Sequence, residues 1–245
     1  MTRIISIVNH KGGVGKTTSV SSLGVALSDL GRRVLLVDLD PQCNLTDSLS
    51  VPRSGRTIYD SLREGKDLPQ VQLQERLWIC PSSLDLVSTD LELSGVERRE
   101  YRLRDLLSPL GYDYILLDCP PSLGLLTINA LTASGEVFVP LTPEVLPAKG
   151  LGTLLDIIRR TREGLNPDLN LGGIIIARYQ RRKINRIVEE SLRETFGDLV
   201  FQTKIRDNVD IAEAPLQGKD IYSYSPRSIG ASDYRDLALE IDKKR

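Results

Sequence analysis

Short runs of uninterrupted apolar residues recur along the chain, separated by longer stretches with helical spacing. The runs predict strands over Ile4–Asn9, Arg33–Asp38, Leu77–Pro81, Tyr114–Asp118, Glu136–Pro140, Gly173–Ala177 and Val200–Lys204. Val34-Leu35-Leu36-Val37 and Ile115-Leu116-Leu117 contain no polar residue. A strand that is apolar on both sides of its pleat needs cover on both, which means a parallel sheet between helical layers. Helices are predicted over Lys16–Leu30, Gly150–Gly164 and Lys183–Phe196, each ending at a glycine. A further helix is expected over Ser232–Lys243, where Tyr234, Leu237, Ala238 and Ile241 follow helical spacing. Alternation of β and α along the whole length predicts one α/β domain over residues 1–245. Its sheet is doubly wound and mostly parallel, with helices on both faces. Leu49–Gly55 reads as a loop rather than a linker.

Charge and cysteine content narrow the picture. With 32 Lys plus Arg against 33 Asp plus Glu, the net charge is −1, so any surface for a polyanion must be local. Cys43, Cys80 and Cys119 are far apart and odd in number, which fits small apolar fillers in a reducing cytosol better than a disulfide framework. No apolar run reaches the roughly 18–20 residues a membrane span needs, and the N-terminus enters a strand at once, so neither a span nor a signal peptide is expected. His10 is the one histidine and reads as a loop residue, which excludes a metal site built from several imidazoles.

The chemistry concentrates in Lys11-Gly12-Gly13-Val14-Gly15-Lys16-Thr17-Thr18, between a predicted strand and a predicted helix. Glycines let backbone N–H groups approach a phosphate closely, and the helix N-terminus adds positive dipole. Lys16 is expected to meet the β/γ-phosphates of a nucleoside triphosphate, and the Thr17 hydroxyl to ligate Mg2+. Two strands then end in carboxylates, one in Asp38-Leu39-Asp40 and one at Asp118. Strand carboxyl ends line the ligand crevice of such folds, and period-two alternation sends Asp38 and Asp40 to the same side. Asp118 fits the Walker B role of holding Mg2+ through water.

The usual P-loop has glycine where this chain has His10. Lys-Gly-Gly-Val-Gly-Lys-Thr-Thr instead resembles the deviant P-loop of the ParA/MinD family. Asp38-Leu39-Asp40-Pro41-Gln42 is similar to that family's segment too. So is the stretch from Thr203 to Ala231, which looks like the C-terminal signature of the Soj type. The resemblance runs from about residue 3 to about residue 240. It implies ATP and Mg2+ as ligands, and Asp40 as the carboxylate that positions attacking water. Asp38 would stand nearer the metal, and Pro215 beside the adenine. It implies that Lys11 reaches the ATP of a second copy in an ATP-sandwich homodimer.

The same resemblance implies non-specific double-stranded DNA as a partner. Arg178–Arg186 holds five basic residues and no acid at a helix start, where the macrodipole does not favour them. Arg181, Arg182, Arg186 and Arg206 are the expected contacts, in place of an arginine that relatives often carry where Asp210 stands here. Pairing with Glu189, Glu190 and Glu194 on a solvated face is the alternative for the patch. A ParB-like or other adaptor is expected to stimulate a slow ATPase. The cargo would be a plasmid, a chromosome origin or a microcompartment such as a carboxysome. The implied location is cytoplasmic and nucleoid-associated, and operator binding through an N-terminal helix-turn-helix is not expected.

Two other readings stand beside this one. A MinD-like membrane switch needs a terminal amphipathic helix, and Leu239–Arg245 has two strong apolar residues among acids and bases. A metabolic or redox relative would need a second suitable cysteine pair beside Cys119. An amidoligase would need an added glutaminase domain for which 245 residues leave no room.

Overall fold

The computed structural model describes residues 2–52, 55–108, 110–143 and 148–244, the side chains of 148–150 excepted. Seven strands form one sheet: β1 Arg3–Ile7, β2 Val34–Asp38, β3 Val71–Gln74, β4 Leu77–Cys80, β5 Tyr114–Asp118, β6 Glu136–Leu141 and β7 Asn170–Ile176. Their spatial order is β3-β4-β2-β5-β1-β6-β7. All neighbours run parallel except β3 against β4. Eleven α-helices lie among the described residues. They are α1 Lys16–Asp29, α2 Asn44–Ser48, α3 Ile58–Glu64, α4 Thr89–Glu92, α5 Arg102–Leu107, α6 Leu125–Ala133, α7 Ala148–Gly164, α8 Lys183–Phe196, α9 Val209–Glu213, α10 Ile221–Tyr224 and α11 Ile229–Lys243.

The all-apolar strands are central, as their composition requires. Every residue of β2 and β5 is buried. Alternate residues enter two separate cores. Leu35, Val37, Ile115 and Leu117 join one, with Leu103, Leu126, Ala130 and Leu154 from α5, α6 and α7. Val34, Leu36, Tyr114 and Leu116 join the other, with Leu23 and Leu27 of α1 and Tyr234, Leu237 and Ile241 of α11. Gly24 lets α1 lie close on β2: a Cβ there would come within 2.5 Å of Leu36 Cδ2.

One expectation needs correction, one strand is new, and one loop is described in part. Val200–Lys204 is not a strand; it makes only an isolated bridge, Ile174 to Val200. Beyond the Phe201 N–H, which donates to the Ile174 carbonyl at 3.1 Å, side chains meet much of its backbone. Arg193 donates to the carbonyls of Val200 and Phe201, and Glu240 accepts from the N–H groups of Gln202 and Thr203. The antiparallel strand β3 was not expected; it is short and mostly exposed. Of the expected loop Leu49–Gly55, Arg53 and Ser54 lie outside the described residues, and the rest is irregular.

Candidate functional site

β1 is central, with β5 on one side and β6 on the other, so the crevice at the strand carboxyl ends opens where the chain leaves β1. There Asn9 pins the turn: its Nδ2 donates to the Pro140 carbonyl at 2.7 Å, and its Oδ1 accepts the Lys11 N–H at 3.0 Å. Gly13 and Gly15 have φ of 72° and 91°, a region L side chains rarely adopt. Gly15 caps α1 without any side-chain acceptor, so the first N–H groups of a 14-residue helix face the crevice unmet by a capping side chain. Added Cβ atoms on Gly12 or Gly13 would meet nothing within 4 Å, so the loop is open toward the crevice rather than packed shut.

Lys16 is buried in this crevice, and its Nζ folds back to donate to the Lys11 carbonyl at 3.2 Å. Burial lowers its pKa, opposed by the nearby charges of Asp118 and Asp40. Lys11 itself is exposed, as is His10.

The three carboxylates differ sharply. Asp38 is fully buried. Its Oδ1 accepts the Asp40 N–H at 3.1 Å, and its Oδ2 accepts both the N–H and the hydroxyl of Thr46 at 2.9 and 2.7 Å. Burial still pushes its pKa up to about 6, against the pull of those bonds. Asp40 accepts the Gln42 N–H on Oδ1 at 2.9 Å. Asp118 is fully buried and neither of its oxygens accepts a hydrogen bond. Burial first, then the Asp38 charge, pushes its pKa well above the usual range, with Thr17 and Lys16 pulling the other way. A buried carboxylate left without donors is costly for folding alone. A cation in the crevice offsets that cost, so the donor set of Asp118 and Thr17 fits a hard divalent ion.

A cavity of about 980 Å3 extends from this corner. Gly12, Gly13, Lys16, Thr17 and Asp40 line it together with Asp207, Asn208, Pro215 and Tyr234. Pro215 thus lines the same cavity as the glycine-rich loop. α2 adds Asn44 and Asp47 to the wall, which sequence patterning did not single out. Arg206 is also in this wall, and its guanidinium is engaged with buried Asp233, Nε to Oδ1 at 3.1 Å. Arg206 thus braces the cleft against α11, while its backbone bridges Tyr179 within the basic stretch. Arg181, Arg182 and Arg186 do lie together, exposed at the start of α8. Glu189 pairs with Arg193 and Lys204 rather than with the patch; within it Arg186 meets Glu190 at 3.6 Å and Arg178 meets Asp207 at 3.5 Å. Cys43, Cys80 and Cys119 are buried and form no disulfide, and burial pushes the Cys80 and Cys119 thiols up.

A family profile described as an AAA domain matches residues 2–171. The chain is 42% identical to the sporulation initiation inhibitor protein Soj of Bacillus subtilis, over 98% of each chain. It is 45% identical to the chromosome-partitioning ATPase Soj of Thermus thermophilus, over 98% of this chain and 95% of that one. Among solved structures, MinD from Pyrococcus horikoshii with Mg-ADP is 31% identical, with a TM-score of 0.82, covering all of this chain and 97% of that one. A cobyrinic acid a,c-diamide synthase from Mycobacterium smegmatis with bound ADP and magnesium is 36% identical, with a TM-score of 0.85, over 98% of this chain and 93% of that one. A protein so named thus has nearly this chain's length, and size does not separate amidoligases from it, contrary to expectation. The deviant P-loop, the paired strand-end aspartates and near-full-length identity to Soj proteins agree, and the chain belongs to the ParA/Soj family of P-loop ATPases.

Proposed function

We propose that this chain is a partition or positioning ATPase that pairs with a second copy around ATP, holds DNA in that state and releases it after hydrolysis. The chain is an ATPase that takes ATP with magnesium. The observation that carries the site assignment is one crevice in which an uncapped helix N-terminus, a buried lysine and an orphaned buried carboxylate converge. The helix N–H groups and Lys16 hold the triphosphate. Thr17 and Asp118 would hold magnesium, which would neutralise phosphate charge there. Asp40 orients the attacking water, and Pro215 borders the base. Lys11, exposed at the mouth, acts on the nucleotide of the second copy, as an arginine finger does in trans.

The exposed arginines at the start of α8 support the DNA reading. Among the described residues neither Arg181 nor Arg182 makes an ion pair, and local neutralisation of several phosphates gives non-specific affinity despite a net charge of −1. Cargo moves with an adaptor that accelerates hydrolysis in the cytoplasm, on the nucleoid. Against a MinD-like role, Ile241 near the end of α11 is buried in the core, and Leu239 alone of the two apolar residues there is exposed. No helix among the described residues is long and apolar enough to cross a membrane.

DNA retardation compared across ATP, ADP and no nucleotide tests this reading. Retention is expected with ATP only. Arg181→Glu combined with Arg182→Glu abolishes it while phosphate release without DNA stays at the wild-type rate. Wild-type retention by that double variant removes the patch from the account.

A further inference from the structure

We propose that Thr46 and Ser82 are positioning residues for hydrolysis, holding Asp40 in place through a closed ring of hydrogen bonds with Asp38. The proposal rests on the role given to Asp40 above. The Asp40 N–H donates to Asp38 Oδ1 at 3.1 Å, and Asp38 Oδ2 accepts the Thr46 hydroxyl at 2.7 Å. Thr46 Oγ1 accepts the Ser82 N–H at 3.0 Å, and the Ser82 hydroxyl donates to the Asp40 carbonyl at 2.7 Å, which closes the ring. Four residues from three chain segments take part: the end of β2, the first turn of α2 and the loop leaving β4. Asp38 and Thr46 are 0% exposed and Ser82 is 1% exposed, so water does not compete for these bonds.

The ring acts on one residue in particular. Both backbone polar groups of Asp40 are engaged, so the peptide planes on either side of its Cα are fixed. The Gln42 N–H on Oδ1 then sets the carboxylate's rotation and leaves Oδ2 for water. Ring bonds of this kind matter for rate because misplacing a reacting group by about 1 Å can cost roughly 100-fold. They also divide Asp38 from Asp40: three hydrogen bonds from the chain make Asp38 part of the frame, and Asp40 the group that the frame presents. Ser82 makes the loop after β4 part of the ATPase site, although no sequence motif marks it.

The test uses the full chain, steady-state phosphate release and ATP affinity read with a fluorescent analogue. Ser82→Ala should lower kcat by roughly 10–100-fold while ATP affinity stays within about twofold. Thr46→Val should do the same, and Thr46→Ser, which keeps the hydroxyl, should restore the rate. Added to Asp40→Ala, Ser82→Ala should leave the residual rate unchanged, because the frame then presents nothing. Wild-type kcat in Ser82→Ala with Asp40→Ala inactive overturns this proposal alone. Equal losses in Thr46→Val and Thr46→Ser, or a further loss in the double variant, also overturn it. Full hydrolysis by Asp40→Ala overturns the role of Asp40 itself and this inference with it.

Discussion

β2 and β5 end side by side, Asp38 opposite Asp118 in parallel register, yet the two corners are completed in opposite ways. Both strands are apolar runs closed by a buried aspartate. Asp38 accepts three hydrogen bonds and Asp118 accepts none. The difference lies in the chain segment after each strand. After Asp38 the chain supplies an N–H two residues on, at Asp40, and then turns into α2, which lays Thr46 against the carboxylate. After Asp118 the same offset is Pro120, with Pro121 next to it, and neither has an N–H to give. The Cys119 N–H goes instead to the Ile7 carbonyl. Two aspartates in nearly equal strands thus differ, one bonded by the chain and one left open, because of the residues just beyond them.

Removing each charge in turn breaks this comparison most directly. Asp118→Asn should weaken the apparent magnesium affinity of hydrolysis by roughly 10–100-fold, the range for groups that act on a metal through its bound waters. Asp38→Asn should leave that affinity within a few-fold and lower kcat. Equal magnesium dependence in the two variants would mean that the corners do not divide the work.

Stability should move in opposite directions. At pH 7.5 without nucleotide, Asp118→Asn replaces a carboxylic group whose burial opposes its charge and should raise Tm, by roughly 2–4 °C for each kcal/mol gained at this chain length. Asp38→Asn turns an acceptor toward N–H donors and should lower Tm, at a cost of about 1–3 kcal/mol. Differential scanning calorimetry of the three proteins reads both signs at once; a shared sign would contradict the assignment.

A smaller effect sharpens the comparison further. Asp118 holds its proton to higher pH when folded than when unfolded, so the nucleotide-free fold loses stability as pH rises from the ordinary carboxylate range through its folded value. The advantage of Asp118→Asn over wild type should therefore grow with pH, measured by urea midpoints. Pro120→Ala, which puts an N–H two residues after Asp118, should shrink that growth.

The phosphate end was legible in the sequence because its requirements are local. Glycines at positive φ, one lysine and one threonine sit within a few residues of each other, and Asp38, Asp40 and Asp118 fall at the ends of apolar runs. The frame was not legible. Thr46 and Ser82 lie 36 residues apart, are ordinary residue types, and meet only because β2 and β4 pair in parallel. Nor was the pairing of Arg206 with Asp233, because the two lie 27 residues apart. Val200–Lys204 reads as a strand because it opens on two apolar residues, whereas it meets β7 at a single bridge and side chains from α8 and α11 take further backbone groups.

The central claim is that ATP held in this crevice brings two copies together. Light scattering of Asp40→Ala, which keeps ATP uncleaved, in ATP–magnesium, in ADP–magnesium and without nucleotide tests it most directly. The account predicts twice the 27.2 kDa chain mass with ATP–magnesium, the chain mass in the other two, and the chain mass throughout once Lys11→Ala is added. A protein that binds ATP and keeps the single-chain mass in all three conditions would contradict it.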